Sequence, residues 1–313
     1  MQKLAEIFKT TLAIKREEEV LLVTDDSMLE VASLIESALR ELSQEVLVLK
    51  MKPRSMHGEE PPRVVAEAMK HASVVVAPTS KSLSHTSARK RACEAGARVA
   101  TMPGITLDML TSGGMLADYS EVRRLAEAVA ERLSRAESIR IKTALGTDFT
   151  ASLKGRKALA DTGIITKPGD FGNLPAGEGF IAPVEGGSEG LLVFDGSFGM
   201  LGKLAKPLKI RVVGGKAVEV EGDDGKISAL FQRYACADNV AEIGIGVNPM
   251  ARVIGNVLED EKAFHTIHVA FGDNHTFGGN TRAEVHLDGV MLNPSVWLDD
   301  EMLMDKGRLL CFQ

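Results

Sequence analysis

The chain is poor in the residues that would mark several kinds of protein. Its three cysteines, Cys93, Cys236 and Cys311, are widely separated and odd in number. They form no CxxC pair for zinc or redox chemistry, which argues against a disulfide framework and predicts a reducing, cytoplasmic setting. A basic excess is missing as well. The formal net charge of −6 gives no general surface for a phosphate backbone, so nucleic acid is not an expected partner. No stretch reaches the roughly 18 uninterrupted apolar residues of a membrane span. The N-terminal pattern Leu4, Ile7, Phe8 and Leu12 is amphipathic rather than a signal core, so neither export nor membrane insertion is expected. Glycine is scarce in the first half only: of 30 glycines, just Gly58, Gly96, Gly104, Gly113 and Gly114 precede Gly146. The architecture is therefore expected to change near residue 145.

What is present is ordinary for a globular chain, 44% hydrophobic and 26% charged, and too long for one core, which predicts two domains, 1–145 and 146–313. In the first, residues 19–24 read as a buried strand, followed by capping residues Asp25, Asp26 and Ser27 and an apolar-periodic run through Leu29, Ala32, Ile35 and Leu39. The order then repeats, with strands at 46–49, 73–77 and 99–102 and helices at 64–69 and 87–95. A further helix begins at Ser120. In the second, residues 190–196, 208–213 and 216–220 read as strands, with Gly214-Gly215 as a hairpin turn. The fold class expected is α/β: an N-terminal open parallel sheet with helices on both faces, followed by a mainly antiparallel β C-terminal domain that carries the site.

Four of the seven histidines, His265, His268, His275 and His286, fall in one short stretch with Glu259, Asp260, Glu261, Asp273 and Asp288. Imidazole mixed with carboxylate suits zinc, cobalt, manganese or ferrous iron. In His286-Leu287-Asp288 the two ligands share one side of an extended strand, although such a pair also occurs on solvated surface strands. Glu178 lies among turn-forming residues, where it either faces a centre or merely faces water. Glu242 sits in the apolar, glycine-bearing run Ala241-Glu242-Ile243-Gly244-Ile245-Gly246, and a carboxylate buried there needs a partner, which a metal would supply. His85 is read either as part of a ligand loop or as part of a helix N-cap region, the second being the stronger reading.

Taken in order, Gly172-Asn173-Leu174-Pro175-Ala176-Gly177-Glu178, the Ala241–Gly246 run, His268-Val269-Ala270-Phe271-Gly272 and His286-Leu287-Asp288 resemble the metallo-aminopeptidase family that includes aminopeptidases T and S. The resemblance implies metal ligands at Glu178, Glu242, His268, His286 and Asp288, with Glu242 bridging two divalent ions such as zinc, cobalt or manganese. It implies a homodimer that hydrolyses N-terminal residues from small peptides. The family's further active-site glutamate lies in an Asp-Glu-Asn context. Here Asp260-Glu261-Lys262 stands at a slightly longer spacing, which makes Glu261 the expected general base. Where the family has a tyrosine seven residues past the first histidine, this chain has His275, a second catalytic candidate.

The architecture is also similar to that of dihydroxypyridine ring-cleaving dioxygenases, which hold one ferrous iron with two histidines and an aspartate, a triad that His268, His286 and Asp288 would provide. The presence of both Glu178 and Glu242 favours the dinuclear hydrolase as the main expectation. The Fe(II) dioxygenase, acting on a small molecule, is the alternative. A non-catalytic relative is a third reading.

Overall fold

The aliphatic runs at 20–23, 74–77 and 98–101 form strands buried on both faces, as parallel strands must be when helices cover them, whereas the run at 46–49 lies on an edge strand and leaves Leu47 and Val48 exposed. The computed structural model describes residues 2–310. Its parallel sheet has the spatial order Glu45–Met51, Glu19–Asp25, Val74–Ala77, Arg98–Thr101 and Phe171–Asn173. Leu21, Val23, Val75, Ala77 and Val99 pack with the helices Arg63–His71 and Ser87–Glu94 through Val65, Met69, Ala88 and Ala92. Residues of opposite parity, Val20, Leu22, Val74 and Val76, are equally buried, so the other face is covered too. Thr86 caps the helix Ser87–Glu94 by accepting a hydrogen bond from the Arg89 amide, which puts His85 just outside that cap.

The chain divides into two compact units, but not by a single cut after residue 145. One unit holds residues 1–123 and 162–176, and the other 124–161 and 177–313. The boundary expected from glycine content moves for two reasons. The strand Ser138–Lys142, which precedes Gly146, already belongs to the antiparallel part. The segment 162–176 returns to the first unit, where Phe171 and Asn173 pair with Val99 and Thr101. A three-residue Phe-Gly-Asn strand has no apolar run to announce it.

The second unit contains an eight-stranded and a seven-stranded sheet, antiparallel in every named pairing. One core cluster joins Ile139, Phe149, Leu192 and Ile210 of the former to Ile243, Ile245, Val269 and Phe271 of the latter. The fold class therefore stands as expected. Cys93 and Cys236 are free thiols, and Cys311 lies outside the described residues. Among the described residues no helix is long and apolar enough to cross a membrane.

Candidate metal centre

Directly opposed residues of an antiparallel ladder share a face. Five neighbouring strands of the seven-stranded sheet therefore decide which side chains meet. The register opposes Asp161 to Glu178 and Glu178 to Gly246. It opposes Phe180 to Gly244, Gly244 to His268, Glu242 to Ala270, Ala270 to Asp288, and Gly272 to His286. One face thus carries Asp161, Glu178, Glu242, His268, His286 and Asp288. The alternating residues Ile243, Ile245, Val269 and Phe271 enter the core behind it.

Two glycines make this face usable. A Cβ on Gly244 would stand 2.1 Å from Nε2 of His268, so the imidazole lies across a bare backbone. A Cβ on Gly246 would meet the Ala263 carbonyl oxygen at 2.1 Å, so the following turn can approach the strand closely. That turn is anchored on both sides. The Asp260 carboxylate accepts hydrogen bonds from the amides of Ile254 and Gly255, and the Asn248 amide donates to the Lys262 carbonyl. It brings Glu261 and Lys262 to the face.

The six side chains expected as ligands or general base come together. Nε2 of His268 lies 3.1 Å from Oε2 of Glu178 and 3.2 Å from Oε1 of Glu242. Nε2 of His286 lies 3.3 Å from Oδ1 of Asp288 and 3.6 Å from Oε2 of Glu242. Nδ1 of His286 donates to the Asp273 carbonyl at 2.8 Å, which leaves Nε2 for a ligand role. The Phe277 ring meets the same imidazole edge-on. Three triplets are compact enough to hold an ion: Glu178 with Glu242 and His268, Glu242 with His286 and Asp288, and Glu261 with His268 and Asp288. Asp288 thus belongs to one triplet with each histidine. His275 belongs to none. Its Nδ1 sits 2.7 Å from Oδ1 of Asp273, on a half-exposed side chain.

Two participants escape a reading of the sequence, Lys262 and Asp161. The Lys262 side chain is buried, with Nζ 2.5 Å from Oε1 of Glu178, 2.6 Å from Oε1 of Glu261 and 3.3 Å from Oδ2 of Asp161. The available signal was the lysine itself, standing where the Asp-Glu-Asn pattern has asparagine.

Electrostatics follow from five carboxylates gathered with two imidazoles and one ammonium, the ammonium touching three of them. Burial works against the charged form of His268, but Glu178 and Glu242 outweigh it and raise its pKa to about 9. For His286 burial is again opposed, chiefly by Asp288, and the pKa rises to about 10. Asp288 itself, despite burial, is held down to about 2 by His286. Burial pushes Glu178 up to about 8 against the pull of Lys262, and Glu261 is raised for the same reason. Without a metal, protons on the imidazoles balance part of the negative charge. A divalent ion would replace them, since ligating imidazole is neutral. Oε2 of Glu178, Oδ1 of Asp288 and Nδ1 of His268 are buried without a hydrogen-bond partner. Carboxylate oxygens that face imidazole nitrogens at 3.1 and 3.3 Å without an aligned hydrogen bond are a donor set that fits such an ion.

Fold and site together define a protein with an imidazole–carboxylate cluster, able to hold a metal ion, on one face of an antiparallel sheet. Across residues 3–311 the sequence matches the NicX model, 2,5-dihydroxypyridine 5,6-dioxygenase, and the chain belongs to that family. A 2,5-dihydroxypyridine 5,6-dioxygenase of Pseudomonas putida is 27% identical over 217 residues, 63% of this chain and 60% of that protein, so the match spans less than two thirds of the relative's length. A solved 2,5-dihydroxypyridine dioxygenase structure from Pseudomonas putida superimposes with a TM-score of 0.82 at 18% identity, covering 99% of this chain and 96% of that one. AmpT from Thermus thermophilus superimposes with a TM-score of 0.73 at 19% identity, covering 99% and 98%. At those identities the two structures speak for the fold alone.

The expectation of an aminopeptidase, a metalloprotease and hydrolase, is corrected by the family match. The chain belongs to a dioxygenase family, and the likeness to AmpT is one of fold. Glu178 and Glu242 carry no argument for hydrolysis, and the reason is physical. A buried glutamate needs a cation, and for Glu178 the ammonium of Lys262 already provides one.

Proposed function

We propose that this chain is a mononuclear non-haem Fe(II) dioxygenase that opens the ring of a dihydroxylated pyridine, 2,5-dihydroxypyridine or a close analogue. The observation that supports it best is the position of Asp288, in one compact triplet with His268 and in another with His286, on a face where Lys262 counters Glu178. His268, His286 and Asp288 would hold the ion, two imidazoles and one carboxylate being a donor set suited to ferrous iron. When bound, ferrous iron supplies the one-electron chemistry that lets dioxygen react with a closed-shell ring.

The chain's own residues set the rest. His268 is fully buried, and Glu178, Glu242 and Asp288 are nearly so, which keeps bulk water from the reacting atoms. Glu242 faces Nε2 of both imidazoles, at 3.2 and 3.6 Å, and so borders the position of the ion they would hold. Glu261, whose proton affinity is raised by burial, is the proposed base for the ring hydroxyl proton. The His275–Asp273 pair, beside the carbonyl that holds His286, is the second proposed acid–base group.

The test is oxygen consumption on adding 2,5-dihydroxypyridine to anaerobically Fe(II)-loaded protein. Stoichiometric uptake that is abolished by chelation supports the reading. No uptake by fully loaded protein, with this ring or its hydroxylated analogues, overturns it.

A further inference from the structure

The buried ammonium of Lys262 is the one feature of the centre that neither the ligand set nor the proton chemistry requires. An ammonium has three N–H donors, and Lys262 points them at three carboxylates, Oε1 of Glu178, Oε1 of Glu261 and Oδ2 of Asp161. The side chain is 2% exposed, and its carboxylate neighbours are 6% to 14% exposed. Three acidic groups from two strands and a turn converging on one point are the environment of a divalent cation bound by oxygen. Here a covalently attached monocation stands in it. Glu178 is divided between the two places, since Oε1 faces Lys262 while Oε2 faces His268.

We propose that Lys262 is a built-in substitute for a second metal ion: its ammonium fills a cation position framed by Asp161, Glu178 and Glu261 and so restricts the neighbouring histidine–carboxylate centre to one divalent ion. The inference rests on the single-ion reading of the site, but it concerns stoichiometry rather than reaction. It accounts for the retention of Glu178 in a one-ion centre, because the carboxylate serves the ammonium with one oxygen and borders the ion with the other. It also makes Lys262 a positioning residue, holding Glu178 and Glu261 at their present separation from His268.

The test is the number of Co(II) ions bound per chain, read by equilibrium dialysis with elemental analysis and by the visible absorption of the bound ion. The wild-type protein is expected to bind one. Lys262→Ala and Lys262→Gln, which remove the cation, are expected to bind two, with Co(II) raising their melting temperature more than it raises that of the wild type. Lys262→Arg, which retains a cation, is expected to stay at one. Should the neutral variants fold only in the presence of metal, refolding them in Co(II) gives the same count.

Two ions in the wild type, or one in both neutral variants at saturating Co(II), would overturn the proposal. Failure of the functional reading looks different. Fe(II)-loaded wild type that binds one ion yet consumes no oxygen with 2,5-dihydroxypyridine removes the reading and leaves the role of Lys262 intact. An active wild type whose neutral variants still bind one ion removes only the role of Lys262.

Discussion

Replacing Gly244 with alanine tests whether the strand register builds the centre. The added Cβ would lie 2.1 Å from Nε2 and 2.2 Å from Cε1 of His268, whereas non-bonded carbon contacts settle near about 3.5 to 4.0 Å. The imidazole must therefore move by roughly 1 Å or more. It has no free space to take up, being fully buried between Glu178 and Glu242. Overpacking of this kind costs about 1 to 3 kcal/mol, which for a chain of this size corresponds to a fall in Tm of roughly 2 to 10 °C. A displacement of about 1 Å at a reacting centre lowers turnover by about 10²-fold. We expect Gly244→Ala to lower Fe(II) affinity by at least about tenfold, in line with other disturbances around metal ligands. Calorimetry in chelator isolates the packing cost, metal titration the affinity, and oxygen uptake the turnover. Wild-type affinity and turnover would refute the placement of His268 over Gly244. A lower Tm with normal affinity would reduce the glycine to a packing role.

His286→Ala is expected to lower metal occupancy and activity together, whereas Glu261→Gln should keep occupancy and reduce turnover by about 10² to 10⁴-fold if Glu261 takes the ring proton; elemental analysis beside oxygen uptake distinguishes ligand from base. Glu185 accepts from the Asn280 amide and the Asn274 side chain and pairs with Arg156, bracing the loop whose Asp273 carbonyl orients His286. Glu185→Ala should destabilise by about 1 to 3 kcal/mol and weaken metal binding by about tenfold, and unchanged binding would show that the loop holds His286 unaided. In metal-free protein the raised His268 and His286 contribute stability that is complete below their unfolded value near 6.5 and is lost as pH rises through about 9 and 10. Glu178, raised to about 8, loses its contribution in the same direction, and Asp288, lowered to about 2, contributes above 3.8 and loses only as pH falls through 2. The Tm of chelated protein should thus decline from pH 7 to 10, with a shallower slope once metal is loaded and with proton release on loading at pH 7; a flat profile in chelator would show that the imidazoles are not protonated by their carboxylate neighbours.

By itself the sequence determined the local structure and the residue types that the candidate site gathers. The runs at residues 19–24 and 73–77 are too short and too apolar to be anything but buried strands, and the apolar-periodic segments between them form helices, although the first starts after Met28 with no side-chain cap from Asp25, Asp26 or Ser27. His286-Leu287-Asp288 places its histidine and its aspartate on one face because strand side chains alternate. Tertiary structure decided what local pattern cannot carry. Phe171–Asn173 is a strand only because the edge of Arg98–Thr101 is there to pair with it. Lys262 looks like a surface lysine beside Glu261 until Glu178, 84 positions away, and Asp161 surround its ammonium. The number of cations a centre needs is a sum over charges brought from distant parts of the chain, and that sum exists only once the sheet has set its register.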